Sequence, residues 1–182
     1  VGDRVLLGGI KGDVVDLGIL RTTLMEIGDW VDGDQYNGRI VRVANSFIFT
    51  SPVYNYSANF QFVWDEIHIP IHFGSDNALV RKILDDVVDE VIGEVSTQAK
   101  EAWYDMRKRF QLEDATLEHQ TFMAFNDNWV EFSLRYVVDI KKRRLIRDRL
   151  FTRLLEEIEK YPERIELASE TFEIVRDEPR KS

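Results

Sequence analysis

The chain has 182 residues, of which 44% are hydrophobic and 12% aromatic, enough for packed cores and too many for a disordered segment. It carries 33 acidic against 24 basic residues, a formal net charge of −9. That balance argues against nucleic acid or an anionic membrane surface as the main partner, because both select a basic footprint. The absence of cysteine excludes a disulfide framework and a thiolate metal site.

Residues 1–57 read as a small β-domain. Strands are predicted at 4–7, 10–17, 20–27, 39–43 and 47–50, separated by Gly8-Gly9, Gly28-Asp29 and Asp32-Gly33-Asp34. Five short strands with such turns suit a closed or nearly closed barrel of the Sm-like or SH3-like kind. Pro52 cannot donate to a central ladder, so 52–57 reads as the exit into a second domain.

Residues 58–168 read as β-α-β-β-α-β, a ferredoxin-like α+β domain. The strand 62–73 alternates Ile67, Ile69, Ile71 and Phe73 with His68, Pro70 and His72, and Pro70 marks an edge or a bulge. Asp76 or Ser75 caps a helix that starts near Asn77. Its stripe of Leu79, Val80, Ile83, Leu84, Val87, Val88, Val91, Ile92 and Val95 has period 3.6, and the pattern extends to Phe110. Strands at 116–125 and 130–138 follow. Asp139 is placed to cap a second helix over 141–160, which Pro162 stops. A last strand falls within 164–175, and 177–182 reads as a disordered tail. The longest charge-free run, 43–64, contains Pro52, three Asn and a Gln, so it is not read as a membrane span, and no signal peptide is visible.

Two stretches carry a family pattern. The first is Gly2-Asp3-Arg4-Val5 followed by IKGDVVDLGILRTT over 10–23, with Gly12, Val14, Leu17, Arg21 and Thr23 at the pattern positions. The second is GRIVRVANSFIFTSPVYNYS over 38–57, with Gly38, the corner Asn45, Pro52 and Asn55. Together they resemble the soluble portion of the small-conductance mechanosensitive channel (MscS) family. Two features depart from it: Ala44 stands where the family usually has proline, and the hairpin over 26–37 is long, as in a subgroup with a Trp-containing loop.

The resemblance implies a small β-barrel followed by an α+β domain and a C-terminal strand at 169–176. It implies a cell-membrane protein with this piece on the cytoplasmic side, and a pore-lining helix just upstream of Gly2-Asp3. Seven copies would surround a vestibule that supports the pore and filters ions and small osmolytes during osmotic downshock. The partners are further copies of the chain, its own transmembrane part and the permeating solutes, with no nucleic acid, no cofactor and no enzymatic chemistry. At the base, Thr171, Glu173 and Val175 are expected on one wall of a parallel barrel, with Phe172 and Ile174 on the other. Phe47, Phe49, Arg144 and Arg147 are the further assembly candidates.

No catalytic set stands out. His68 and His72 lie roughly 13 Å apart along a strand, too far for one metal. The acids Asp85-Asp86 and Asp89-Glu90 sit opposite the apolar stripe of the first helix and read as a solvated face. The basic run Lys141-Lys142-Arg143-Arg144, continued by Arg147, Arg149 and Arg153, is either a solvated helix face, a contact to an acidic helix of a neighbouring copy, or a positive patch on the ion path. Trp30 either caps the barrel or meets a membrane-proximal element. The rival reading is a soluble binding protein joining an Sm-like barrel to a ferredoxin-like domain, with RNA as its candidate ligand. The acidic balance and the lack of an RNP-type aromatic motif oppose it.

Overall fold

A computed structural model describes residues 1–169. The N-terminal unit is an antiparallel sheet of β1 (Arg4–Leu7), β2 (Ile10–Leu17), β3 (Arg21–Ile27), β4 (Tyr36–Ala44) and β5 (Tyr54–Asn55). Their order is β4-β3-β2-β1-β5. Register shifts between Val14 and Asp16 and between Met25 and Ile27 bend the sheet around a small core of Val5, Leu7, Val14, Leu24 and Val43. Gly12 permits the close approach of β2 to β3: a Cβ there would lie 2.5 Å from the Met25 carbonyl oxygen.

The apolar run at 47–50 is not the strand its composition suggests. Asn45–Phe49 forms a 3-10 helix, and none of its residues is buried. The cause is the Asn45 side chain. It accepts from the Thr22 hydroxyl and donates to the carbonyls of Gly18 and Ile19, which turns the chain off the sheet after β4.

The second unit contains β6 (Phe62–Ile71), α1 (Asn77–Phe110), β7 (Gln120–Phe125), β8 (Val130–Asp139) and α2 (Arg143–Ile158). Its antiparallel sheet has the order β6-β8-β7. After α2 the chain returns beside β6, where Leu167 bridges Ile71 and the Ala168 N–H donates to the Pro70 carbonyl. That gives the strand neighbours of a split βαβ fold. Among the described residues the return is one bridge rather than a full strand. Thr171, Phe172, Glu173, Ile174 and Val175, expected in a base barrel, and the expected tail at 177–182 lie outside them.

β6 ends two residues earlier than the alternation suggests. Gly74, with φ of 96°, turns the chain there and leaves Phe73 exposed. β7 starts at Gln120 instead of Thr116, because Leu117 packs against α1 and the Thr116 carbonyl accepts from the Trp64 indole. The Asp76 carboxylate caps α1 by accepting from the Leu79 N–H at 3.0 Å. Asp139 does not cap α2. Its carboxylate accepts from the Lys141 N–H in a turn, and α2 begins at Arg143 without a side-chain cap.

The helices do not stay on one face of the sheet. The first half of α1 and all of α2 cover Ile67, Ile69, Phe132, Leu134 and Tyr136. On the opposite face of β6 and β8, Phe62, Trp64 and Val137 are also apolar. The second half of α1 reaches them through Val95, Ala99, Ala102 and Trp103, and Trp103 meets Trp64 edge-on with ring centroids 5.7 Å apart. The length of α1 follows from this: one apolar stripe serves two cores in succession.

Candidate functional site

The motif residues converge although they are far apart in sequence. β5 pairs with β1, so Asn55 lies opposite Val5. The Ser57 hydroxyl accepts from the Arg4 N–H at 2.8 Å and donates to the Asp3 carboxylate at 3.3 Å. The Asn55 side chain accepts from the N–H groups of Ser57 and Ala58, fixing the exit turn. Gly2 and Gly38 both have positive φ, 87° in each case. Arg21 opens β3 opposite Ala44, and Pro52 lies exposed between the 3-10 turn and β5. The exit is thus bonded to the chain start, while the Asn45 corner, bonded to the β2–β3 turn and followed by the 3-10 helix, is a separate piece of backbone.

This piece carries a concentration of exposed apolar side chains. At the β2–β3 turn, Ile19 is 96% and Leu20 78% exposed, and Phe49 on the adjoining 3-10 turn is 84% exposed. Phe47, Ile48, Val53 and Tyr54 continue the exposed set. The bonds from Asn45 to Gly18 and Ile19 hold the turn tip against the 3-10 corner, so the patch is built rather than frayed. A surface of this kind marks a contact with another chain or segment. Trp30 does not plug the core. It is exposed, and the Arg39 guanidinium lies 5.0 Å from its ring.

A second feature is a charged joint where the β-domain meets the turn from β8 into α2. Arg4 is 3% and Asp13 4% exposed, and they pair through two nitrogens at 2.8 and 3.1 Å. The Tyr36 hydroxyl also donates to Asp13. Burial pushes the Asp13 carboxyl up, but the bonds from Arg4 and Tyr36 and the Arg4 charge outweigh it and hold the group below its ordinary range. Asp34 behaves alike: burial raises it, while Lys11, Arg143 and Arg4 bring it down further.

Across the joint, Arg4 donates to the Ile140 carbonyl at 3.3 Å and Lys141 donates to the Gly2 carbonyl at 2.7 Å. Arg143 pairs with Asp34 at 3.3 Å, and Arg144 donates to the Asp32 carbonyl. Arg143 also pairs with the buried Asp65, which accepts from the Tyr136 hydroxyl at 2.8 Å. Burial, then the charge and hydrogen bond of Asp65, push the Tyr136 phenol up. Arg147 donates to the Glu66 carbonyl. Arg153 pairs with Glu90, so α2 does bind the acidic side of α1, within one chain.

Sequence reasoning found the basic run but missed the acids that receive it. The available signal was Asp65, which interrupts the inward alternation of Val63, Ile67, Ile69 and Ile71. Each histidine faces carboxylates: His68 faces Glu66 and Glu131, His72 faces Glu166, and His119 faces Asp85 and Asp89. Among the described residues no group of three such side chains is arranged to hold a metal ion.

Residues 1–58 match the family model described as the mechanosensitive ion channel β-domain. Over 97% of its length the chain superposes on the crystal structure of Helicobacter pylori MscS in the closed state, with 21% identity and a TM-score of 0.64, covering 58% of that chain. It also superposes on the cryo-EM structure of Arabidopsis thaliana MSL1, with 14% identity and a TM-score of 0.57, covering 93% of this chain and 52% of that one. The chain therefore spans little more than half the length of these solved relatives, and at such identities the likeness is one of fold. No curated protein sequence gives a significant match.

Proposed function

We propose, from a chain whose residues 1–58 form a mechanosensitive ion channel β-domain, that it is the cytoplasmic vestibule part of an MscS-type channel. The observation that carries the reading is the exposed apolar patch that the Asn45 corner holds against the β2–β3 turn, in a domain whose chain start Gly2-Asp3 is bonded to its Asn55–Ser57 exit. In this reading the patch is where the chain meets further copies and its own membrane part. Among the described residues no helix is long and apolar enough to cross a membrane, so tension would be sensed elsewhere in the protein.

The vestibule has a structural and filtering role. Copies assemble around the exit path, seven by the family resemblance, and their acidic balance sets the field that permeating ions meet. The test is electrical. Full-length protein in patched liposomes should open stepwise under suction, and cells lacking their own channels should survive osmotic downshock when they express it. A full-length protein that reaches the membrane yet shows no tension-gated current would overturn the reading.

A further inference from the structure

We infer that the joint between the β-domain and the α+β domain is an ionic hinge that loosens as salt concentration rises. Among the described residues, no buried apolar cluster spans the joint. The β-domain core is closed within Val5–Val43, and both cores of the α+β domain draw on residues from Phe60 onward. What crosses the joint is polar: Arg4 to the Ile140 carbonyl, Lys141 to the Gly2 carbonyl, Arg143 to Asp34 and Arg144 to the Asp32 carbonyl. Three of these four donors are cations from the turn that opens α2. Lys141, Arg143 and Arg144 of the basic run, for which the sequence leaves a solvated face, a contact between copies and a positive patch open, supply the clamp.

The pairing pattern also lets the clamp open at low cost. Asp34 is shared between Lys11 of its own domain at 2.6 Å and Arg143 of the other at 3.3 Å. Arg143 in turn keeps Asp65 at 2.9 Å. If the domains part, Asp34 retains Lys11, Arg143 retains Asp65, and Arg4 retains Asp13 and its neighbour Tyr36. No buried charge is stranded, which is the usual reason a charged contact resists breaking. In the crossing pair the Arg143 side chain is 36% exposed and Asp34 12%, so mobile ions reach the pair from the Arg143 side. The buried pair Arg4–Asp13 lies within one domain and is shielded. Screening thus acts on the Arg143–Asp34 arm between the domains, while the buried Arg4–Asp13 pair keeps its contact.

The chain has no cysteine, so an introduced pair carries the only labels. Spin labels on Asp16→Cys and Asp86→Cys, both exposed and one in each domain, report the interdomain distance. Labelled chain diluted into unlabelled chain restricts the signal to single molecules. Pulsed distance measurements would be made from about 0.01 M to about 1 M salt, over which the Debye length falls from about 30 Å to about 3 Å. The expected result is a distance distribution that shifts and broadens with salt. Arg143→Gln should already show the high-salt distribution at low salt, and Arg153→Gln, which removes an ion pair away from the joint, should respond like the unmodified chain. Should Arg143→Gln fail to fold, Asp34→Asn removes the same arm from the other side. A distribution that does not change with salt, a joint variant that keeps the full response, or a loss of response in Arg153→Gln would each overturn the hinge.

Discussion

Two residues of the β-domain show how much one position can decide. Gly12 faces the Met25 carbonyl so closely that a methyl group must displace β3. Gly12→Ala should therefore destabilise the β-domain by about 1–3 kcal/mol, measured by chemical denaturation, through overpacking. Asp13 is the acid that holds the buried Arg4 within the β-domain. Its folded pKa is depressed, so its contribution is present above the ordinary value of 3.8 and is lost as pH falls through the folded value. Asp13→Asn should lower the melting temperature at neutral pH, and the gap to the unmodified chain should close as pH falls below 3.8. A gap that stays constant down to strong acid would show that Asp13 gains nothing from its charge. Neither role is written in a local pattern. Gly12 was legible as a glycine inside a strand and inside the family pattern, and the structure supplies the close approach it serves. Asp13, by contrast, reads as one more acid in an acidic chain until Arg4 and Tyr36 fold onto it.

Helices and strands were legible to the extent that their signal was local. The period of α1, its Asp76 cap and the alternation along β6 all lie in consecutive residues, and the structure follows them. Two errors are local, the early stop of β6 before Gly74 and the turn bond that takes Asp139 from the cap of α2, and the others fall where distant groups intervene. The run 47–50 has strand composition, yet Asn45 bonds to Thr22, Gly18 and Ile19, and the segment becomes a 3-10 turn. Asn45→Ala should release the turn at Gly18–Leu20 from this corner. Hydrogen exchange of the Gly18 amide, which donates to the Arg21 carbonyl across this turn, should quicken, with a stability loss of about 0.5–1.5 kcal/mol for bonds at a largely exposed site. The second half of α1 was legible as helix but not as a cover for the opposite face, because that role depends on Phe62, Trp64 and Val137 being gathered by the sheet. Leu84 in the first half is fully buried, so Leu84→Ala should cost about 2–5 kcal/mol. Ala99, at the second core, is the complementary probe. Ala99→Leu should disturb only the end of the sheet near Phe62, seen as lost tertiary aromatic signal from Trp64 and Trp103 with the first core still melting cooperatively.

At the scale of the whole molecule the exposed patch and the charge pull in different directions. A net charge of −9 keeps single copies apart at low salt, whereas Ile19, Leu20, Phe47, Ile48 and Phe49 gain by being covered. Assembly should therefore tighten as salt screens the repulsion, while the joint inside each copy loosens. Phe49 is the sharpest test, because at 84% exposure it contributes almost nothing to the fold of its own chain. Phe49→Asp should leave the stability of an isolated copy within about 0.5 kcal/mol. It should also weaken association at least tenfold, about 1.4 kcal/mol, by placing a charge in an apolar contact. Light scattering over a concentration series, paired with denaturation of the dilute protein, separates the two effects. Equal association in both proteins would remove the 3-10 corner from the assembly surface. A loss of stability in the isolated copy would show instead that Phe49 belongs to the β-domain core, against its exposure.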